Sequence, residues 1–123
     1  MASNIKVTVI VEKDGVMIEG FPLFYKASFD ETQRFDGMER ATGASYVALP
    51  SGELDTIQLL CLRADKTVSL RLNGQSDAGL TIVPNGFVLL AGVTINAGAA
   101  TNALLQNNSG ATTVVTPGIA AGT

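Results

Sequence analysis

"TIQLLCLRADKTVSLRLNG", residues 56–74, holds two strands and the turn between them. Thr56–Arg63 is almost continuously apolar, which predicts a central strand covered on both faces. Asp65-Lys66 is a short polar break at which the chain turns. Thr67–Asn73 then alternates, with Val68, Leu70 and Leu72 on one side and Ser69 and Arg71 on the other. That period of two is the mark of a half-buried strand. Asn73-Gly74 supplies the next turn, because both residues tolerate positive φ.

The same reading extends upstream. Ile5–Glu12 places Ile5, Val7, Val9 and Val11 on one face. "KDG" at Lys13–Gly15 gives a tight hairpin turn, Val16–Glu19 returns, and Phe21–Phe29 is extended and aromatic, with Pro22 marking a strand start or an edge. Asp30–Gly43, "DETQRFDGMERATG", is dense in charge and alternates little; a short helical turn capped by Asp30 or a long solvated loop both fit, and a charged loop of weak helical character, with Phe35 exposed in it, is preferred. Ser45–Leu49 is a further strand, closed by "PSG".

Downstream, Leu80–Val83 and Phe87–Leu90 flank "PNG" at Pro84–Gly86, and Val93–Ile95 continues the second of them. Ala103–Gln106 and Thr112–Thr116 flank "NNSG". Gly118–Thr123 has little to anchor it, and residues 117–123 read as a flexible C-terminal arm or one that orders on a neighbouring subunit. The expectation is one all-β domain over residues 1–123, an antiparallel β-sandwich of jelly-roll-like type with eight to ten short strands. The paired-cysteine and tryptophan signature of antibody domains is excluded by one cysteine and no tryptophan.

Inventory narrows the chemistry. With no histidine, no Ser-His-Asp, Cys-His or imidazole–metal site can be built, and one cysteine makes neither a disulfide nor a zinc site. Cys61, inside "IQLLCLR", reads as a small buried hydrophobe that fits a reducing compartment. The carboxylate neighbours Asp30 with Glu31 and Asp36 with Glu39 read as solvated charges. No catalytic, cofactor-binding or metal-binding residue is assigned, and no enzyme activity is expected. A net charge of −3 with eight scattered basic residues argues against direct nucleic-acid binding. No run approaches the length of a membrane helix, and the N-terminal apolar run is too short for a signal peptide. The sequon at Asn107 reads as a polar turn.

The charge distribution is uneven. Every Asp, Glu, Lys and Arg lies between Ile5 and Asp77, and residues 78–123 carry none. Ser, Thr, Asn and Gln can keep a neutral surface soluble. A surface rich in Ala, Gly, Thr and Asn also suits close contact with another protein, since interface cores are depleted in charge. The second reading is preferred, with residues 78–123 lining a symmetric oligomer or docking on a scaffold.

"ASYVALPSGELDTIQLLCLRADKTVSLRLNG" (44–74), "GLTIVPNGFVLLAGVTI" (79–95) and "TNALLQNNSGATTVVTPGIAAG" (101–122) together resemble small virion structural proteins of tailed bacteriophages. The likeness is one of layout: a strand ending in Arg63-Ala64-Asp65, a second over Val68–Leu72, the step Pro84-Asn85-Gly86-Phe87, and a last hairpin with an Asn/Ser/Gly turn. The resemblance implies a non-enzymatic capsid decoration, or cement, protein. Such a protein is made in the host cytoplasm and sits on the capsid surface of the virion as a homotrimer, holding the major capsid protein's lattice together. Its partners would be itself and that coat protein, with no nucleic acid and no membrane. Asp30–Gly43 and the N-terminal segment are the candidate capsid-facing elements. A minor tail, neck or fibre-associated protein is the alternative. A carbohydrate-binding β-sandwich is the second, resting on the aromatics Phe21, Phe24, Tyr25, Phe29 and Tyr46, which otherwise read as core.

Overall fold

The computed structural model describes residues 3–50, 54–72, 79–96 and 103–123. The chain is all-β: thirteen strands, every pairing antiparallel, and no helix among the described residues. The number exceeds the eight to ten expected because three strands are only two residues long and two more lie in the charged segment.

The apolar run becomes β8 (Thr56–Ala64), the middle of a five-stranded sheet. β11 (Phe87–Asn96) pairs on one side of it and β13 (Thr113–Gly122) on the other. β5 (Glu31–Arg34) and β6 (Met38–Arg40) pair along the far edge of β13. β8 is covered on both faces, as its composition requires. Leu60 and Leu62 enter the main core, while Leu59 meets Phe29 and Ala121 in a second, smaller cluster. Ala121 lies opposite Leu59 and Gly122 opposite Ile57, so Gln58 is an extra residue in the ladder. This bulge breaks the alternation and brings Ile57 into the main core with Leu60.

The second large sheet has the order β10 (Leu80–Ile82), β9 (Val68–Arg71), β12 (Leu104–Asn107), β7 (Val47–Ala48). Val68, Leu70, Ile82 and Leu105 belong to the same apolar cluster as Leu60, Leu62 and Val115, so the core lies where the two sheets share their buried side chains. The turn expected at Asn73-Gly74 falls outside the described residues. The remaining strands form a hairpin: β1 (Ser3–Val9) with β4 (Leu23–Phe29), and at its tip β2 (Glu12–Lys13) with β3 (Val16–Met17). Asp14 and Gly15 take φ of 54° and 80° in the tip turn, the geometry that Asp-Gly was expected to supply.

Three expectations are corrected. Asp30–Gly43 is not a loop: it contains β5 and β6, and Phe35 between them is only 6% exposed. Asp30, Glu31 and Glu39 are exposed at the edge, where charge discourages further strand pairing, while Phe35 turns inward. Residues 117–123 are not a loosely attached arm. They continue β13 between β8 and β5, with Ala120 and Ala121 buried and Thr123 bonded to Thr56 through both side-chain hydroxyls at 2.7 Å. Of the aromatics read as core, Phe29 is buried but Phe24 is 67% exposed.

Burial accounts for the absence of charge at part of the segment beyond Ala78. This segment supplies β10 to β13, and Ala103, Leu104, Leu105, Val115, Ala120 and Ala121 are buried by the protein itself. An unpaired charge at these positions would lose its hydration with nothing to replace it.

Candidate interaction surface

Among the described residues, the hairpin, Ser3–Phe29, packs on the rest of the protein at its base. There Ile5, Val7, Tyr25 and Ala27 pack with Phe29 against Leu59, Ala91, Ile119 and Ala121, on the side of the five-stranded sheet away from the main core. Every residue from Ile10 to Gly20 is exposed. Among the described residues twelve large apolar side chains are exposed, and seven belong to this hairpin: Ile10, Val11, Val16, Met17, Ile18, Leu23 and Phe24. An apolar surface concentrated in this way marks a binding site rather than the scattered exposure of an ordinary surface.

Local sequence explains the exposure. Val9-Ile10-Val11 and Val16-Met17-Ile18 are runs of three apolar residues. In a ribbon of two strands successive side chains point to opposite faces, so each run makes both faces apolar. One covering layer buries one face only. The tip is held as a ribbon by the pairs Glu12–Met17 and Lys13–Val16 and by Ile18 N–H donating to Val11 O at 2.9 Å.

Where the hairpin leaves the body, Val7, Val9, Leu23 and Phe24 line a groove of about 330 Å³ with Tyr25 and with Leu89 and Ala91 of β11. Gly92 stands beside Tyr25 at φ +71°, and a Cβ there would lie 3.1 Å from Tyr25 Cε2. The outer face of the hairpin's base is polar. Lys6 stands directly opposite Lys26, both are exposed, and neither makes an ion pair among the described residues. The tip carries Glu12, Asp14 and Glu19 against Lys13.

The other polar groups are structural pins. Asp36 Oδ1 accepts from Gly118 N–H at 2.6 Å and its other oxygen from Arg34; the Gly118 bond above all holds the carboxyl below its ordinary value. Asp65 accepts from Val114 N–H and from the Thr113 hydroxyl, each at 2.8 Å, and is held low in the same way. Arg40 donates to Leu105 O at 2.8 Å, Val47 O at 3.1 Å and Ala48 O at 3.4 Å, tying β6 of one large sheet to β12 and β7 of the other, and burial lowers its pKa. Burial pushes the half-buried Cys61 thiol up, so it stays protonated. Asn107 is 1% exposed and donates to Arg40 O and Ala111 O at 2.8 and 2.7 Å, while its Oδ1 accepts from Ser109. Its amide is therefore committed to the turn and closed to a glycan. Asp30, Glu31 and Glu39 are exposed.

A polar depression is lined by Ala44, Ser45, Tyr46, Arg71 and Gln106, with the Arg71 guanidinium 4.0 Å from the centre of the Tyr46 ring. Among the described residues no three Asp, Glu or Cys side chains converge in a metal-binding cluster. The sequence marks the N-terminal segment as a candidate partner-facing element, but not the exposed apolar character of its tip, and its aromatics read as core. The two triplets of consecutive apolar residues flanking a two-residue turn were the signal that could have found it. Compared with protein-family models, with curated proteins and with solved structures, the chain matches none.

Proposed function

We propose that this chain is a non-enzymatic structural protein of a phage virion, a decoration protein that binds the outer capsid surface as a homotrimer and stabilises the mature shell. The observation that carries the reading is the apolar hairpin projecting from an all-β body, a surface whose free energy falls when another protein covers it. The sequence resemblance to virion proteins supports the setting. The finer fold is a β-sandwich of jelly-roll-like winding. In its favour, β7 to β8, β8 to β9, β10 to β11, β11 to β12 and β12 to β13 each pass from one large sheet to the other.

In this reading the charged edge within Asp30–Gly43 meets the coat protein. Many such contacts, bridging neighbouring capsomers, oppose outward pressure by mass action and avidity. The test mixes purified protein with expanded, undecorated capsids and sediments them. Co-sedimentation at saturating stoichiometry is expected, and reversing the exposed charges Glu31 and Glu39 to Arg should weaken it. Capsids that stay bare reject the decoration role and leave the tail, neck or fibre placement. Deleting the segment is not a fair test, since β5 and β6 are paired to β13.

A second reading, a carbohydrate-binding module, rests on the depression beside Tyr46 and Gln106. The Arg71 guanidinium already covers that ring, which counts against sugar stacking there. Binding to a glycan array that is lost in Gln106→Ala would favour it.

A further inference from the structure

We infer that the hairpin Ser3–Phe29 is a self-association element, in which the acidic apolar tip of one copy packs on the basic base of the hairpin of another copy. The inference names the surface used for the self-association in the proposed function and rests on that reading only to that extent; it requires no capsid.

Three observations choose a second copy as the occupant. The first is charge. The tip holds three acids and one basic residue, and the outer face of the hairpin's base holds Lys6 directly opposite Lys26 with no ion pair to either among the described residues. Like charges placed opposite each other across a strand pair repel, and an acidic group laid over both relieves them. The chain therefore carries both halves of a complementary pair, at the two ends of one element. The second is apolar fit. The tip triplets around Ile10 and Met17 are uncovered, and Phe24, whose partner is Thr8 on the same outward face as Lys6 and Lys26, is 67% exposed. The third is size. Nineteen residues between Ser3 and Phe29 are exposed, eleven of them the continuous tip Ile10–Gly20, so both the tip of one copy and the base of another have surface to bring together. Apolar burial supplies the affinity, and the charges set which end meets which.

The test reads association by light scattering and sedimentation at low salt, on the full chain. Wild type is expected to associate reversibly. Lys6→Glu with Lys26→Glu should weaken association about ten-fold, and so should Glu12→Lys with Glu19→Lys. All four substitutions in one chain restore opposite signs and should restore association. All lie at exposed positions, and circular dichroism checks that the fold is kept. If the fourfold variant associates no better than the double ones, the pairing of tip with base is wrong.

A second measurement needs no variant. Hydrogen exchange of the Val11–Ile18 amides should slow as protein concentration rises. Exchange independent of concentration, with a monomer at every loading, overturns the proposal. Protection that arises only on adding capsids or lipid vesicles overturns it in favour of that occupant, and the capsid arm of this experiment reads the proposed function separately.

Discussion

The Phe35 ring occupies the space that a side chain on Gly118 would need. A Cβ built on Gly118 would collide with ring atoms Cδ2 and Cε2 of Phe35, while Phe35 N–H donates to Gly118 O at 2.9 Å. The glycine lets the edge segment carrying Phe35 close on β13. Gly118→Ala should therefore cost about 1–3 kcal/mol, as overpacking a core does. Gly43→Ala, where a methyl meets nothing within 4 Å, should stay within about 0.5 kcal/mol. Urea unfolding of both variants checks the contrast.

Asp36 and Asp65 make stability depend on acid. Both carboxyls are held below the ordinary 3.8 in the folded state, chiefly by backbone N–H donors. A depressed folded pKa gives stability that is complete above the unfolded value and is lost as pH falls through the folded one. The melting temperature should hold down to about pH 4 and drop below it. Asp36→Asn with Asp65→Asn should flatten that drop. A scan from pH 7 to pH 2 that shows equal slopes in both proteins would refute the assignment.

Arg40 connects the two large sheets through three carbonyls. Arg40→Ala strips those acceptors in a partly buried place and should cost about 1–3 kcal/mol. Lys, with one compact ammonium in place of a planar fork, should recover little of it. Chemical denaturation orders the three proteins.

Asn107 donates both amide hydrogens to main-chain carbonyls. Asn107→Asp turns donors into a carboxylate oxygen facing Arg40 O and Ala111 O. It should destabilise more than Asn107→Ala, which loses the bonds at about 1–3 kcal/mol without adding repulsion. Thermal unfolding ranks the pair.

Two phenylalanines on β4 should behave oppositely. Phe29 is 2% exposed, and Phe29→Ala should cost about 3–5 kcal/mol. Phe24 faces solvent, and Phe24→Ala in dilute monomer should change stability by less than about 0.5 kcal/mol. Calorimetry at low protein concentration separates them.

The parts legible in the sequence are those where composition and burial agree. β8 and β9 read directly, because a nine-residue apolar strand and a clean alternation each match one environment. β5 and β6 did not read, because an edge strand shows its charges and hides only Phe35 and Met38 at its ends. The end of β13 did not read either. Ala and Gly are poor strand formers by propensity, yet Gly122 must be small because a Cβ there would strike the Thr56 carbonyl. The hairpin read correctly as strands and turn. Alternation shows that a face is apolar and is silent on whether anything covers it, so the sequence marks the N-terminal segment as a candidate without showing its apolar exposure.

The pairing of Glu31 with Gly122 and of Leu62 with Gly118 has a consequence for biosynthesis. A ribosome delivers the N-terminal ribbon early, and local pairing lets it form at once. The five-stranded sheet has to wait for β13, which follows β5 and β8 far along the chain, before those two strands find their neighbour. Closing such distant partners is slow. Throughout that delay the nascent chain presents β8 without its neighbour on that side, an apolar strand edge of the kind that chaperones shield.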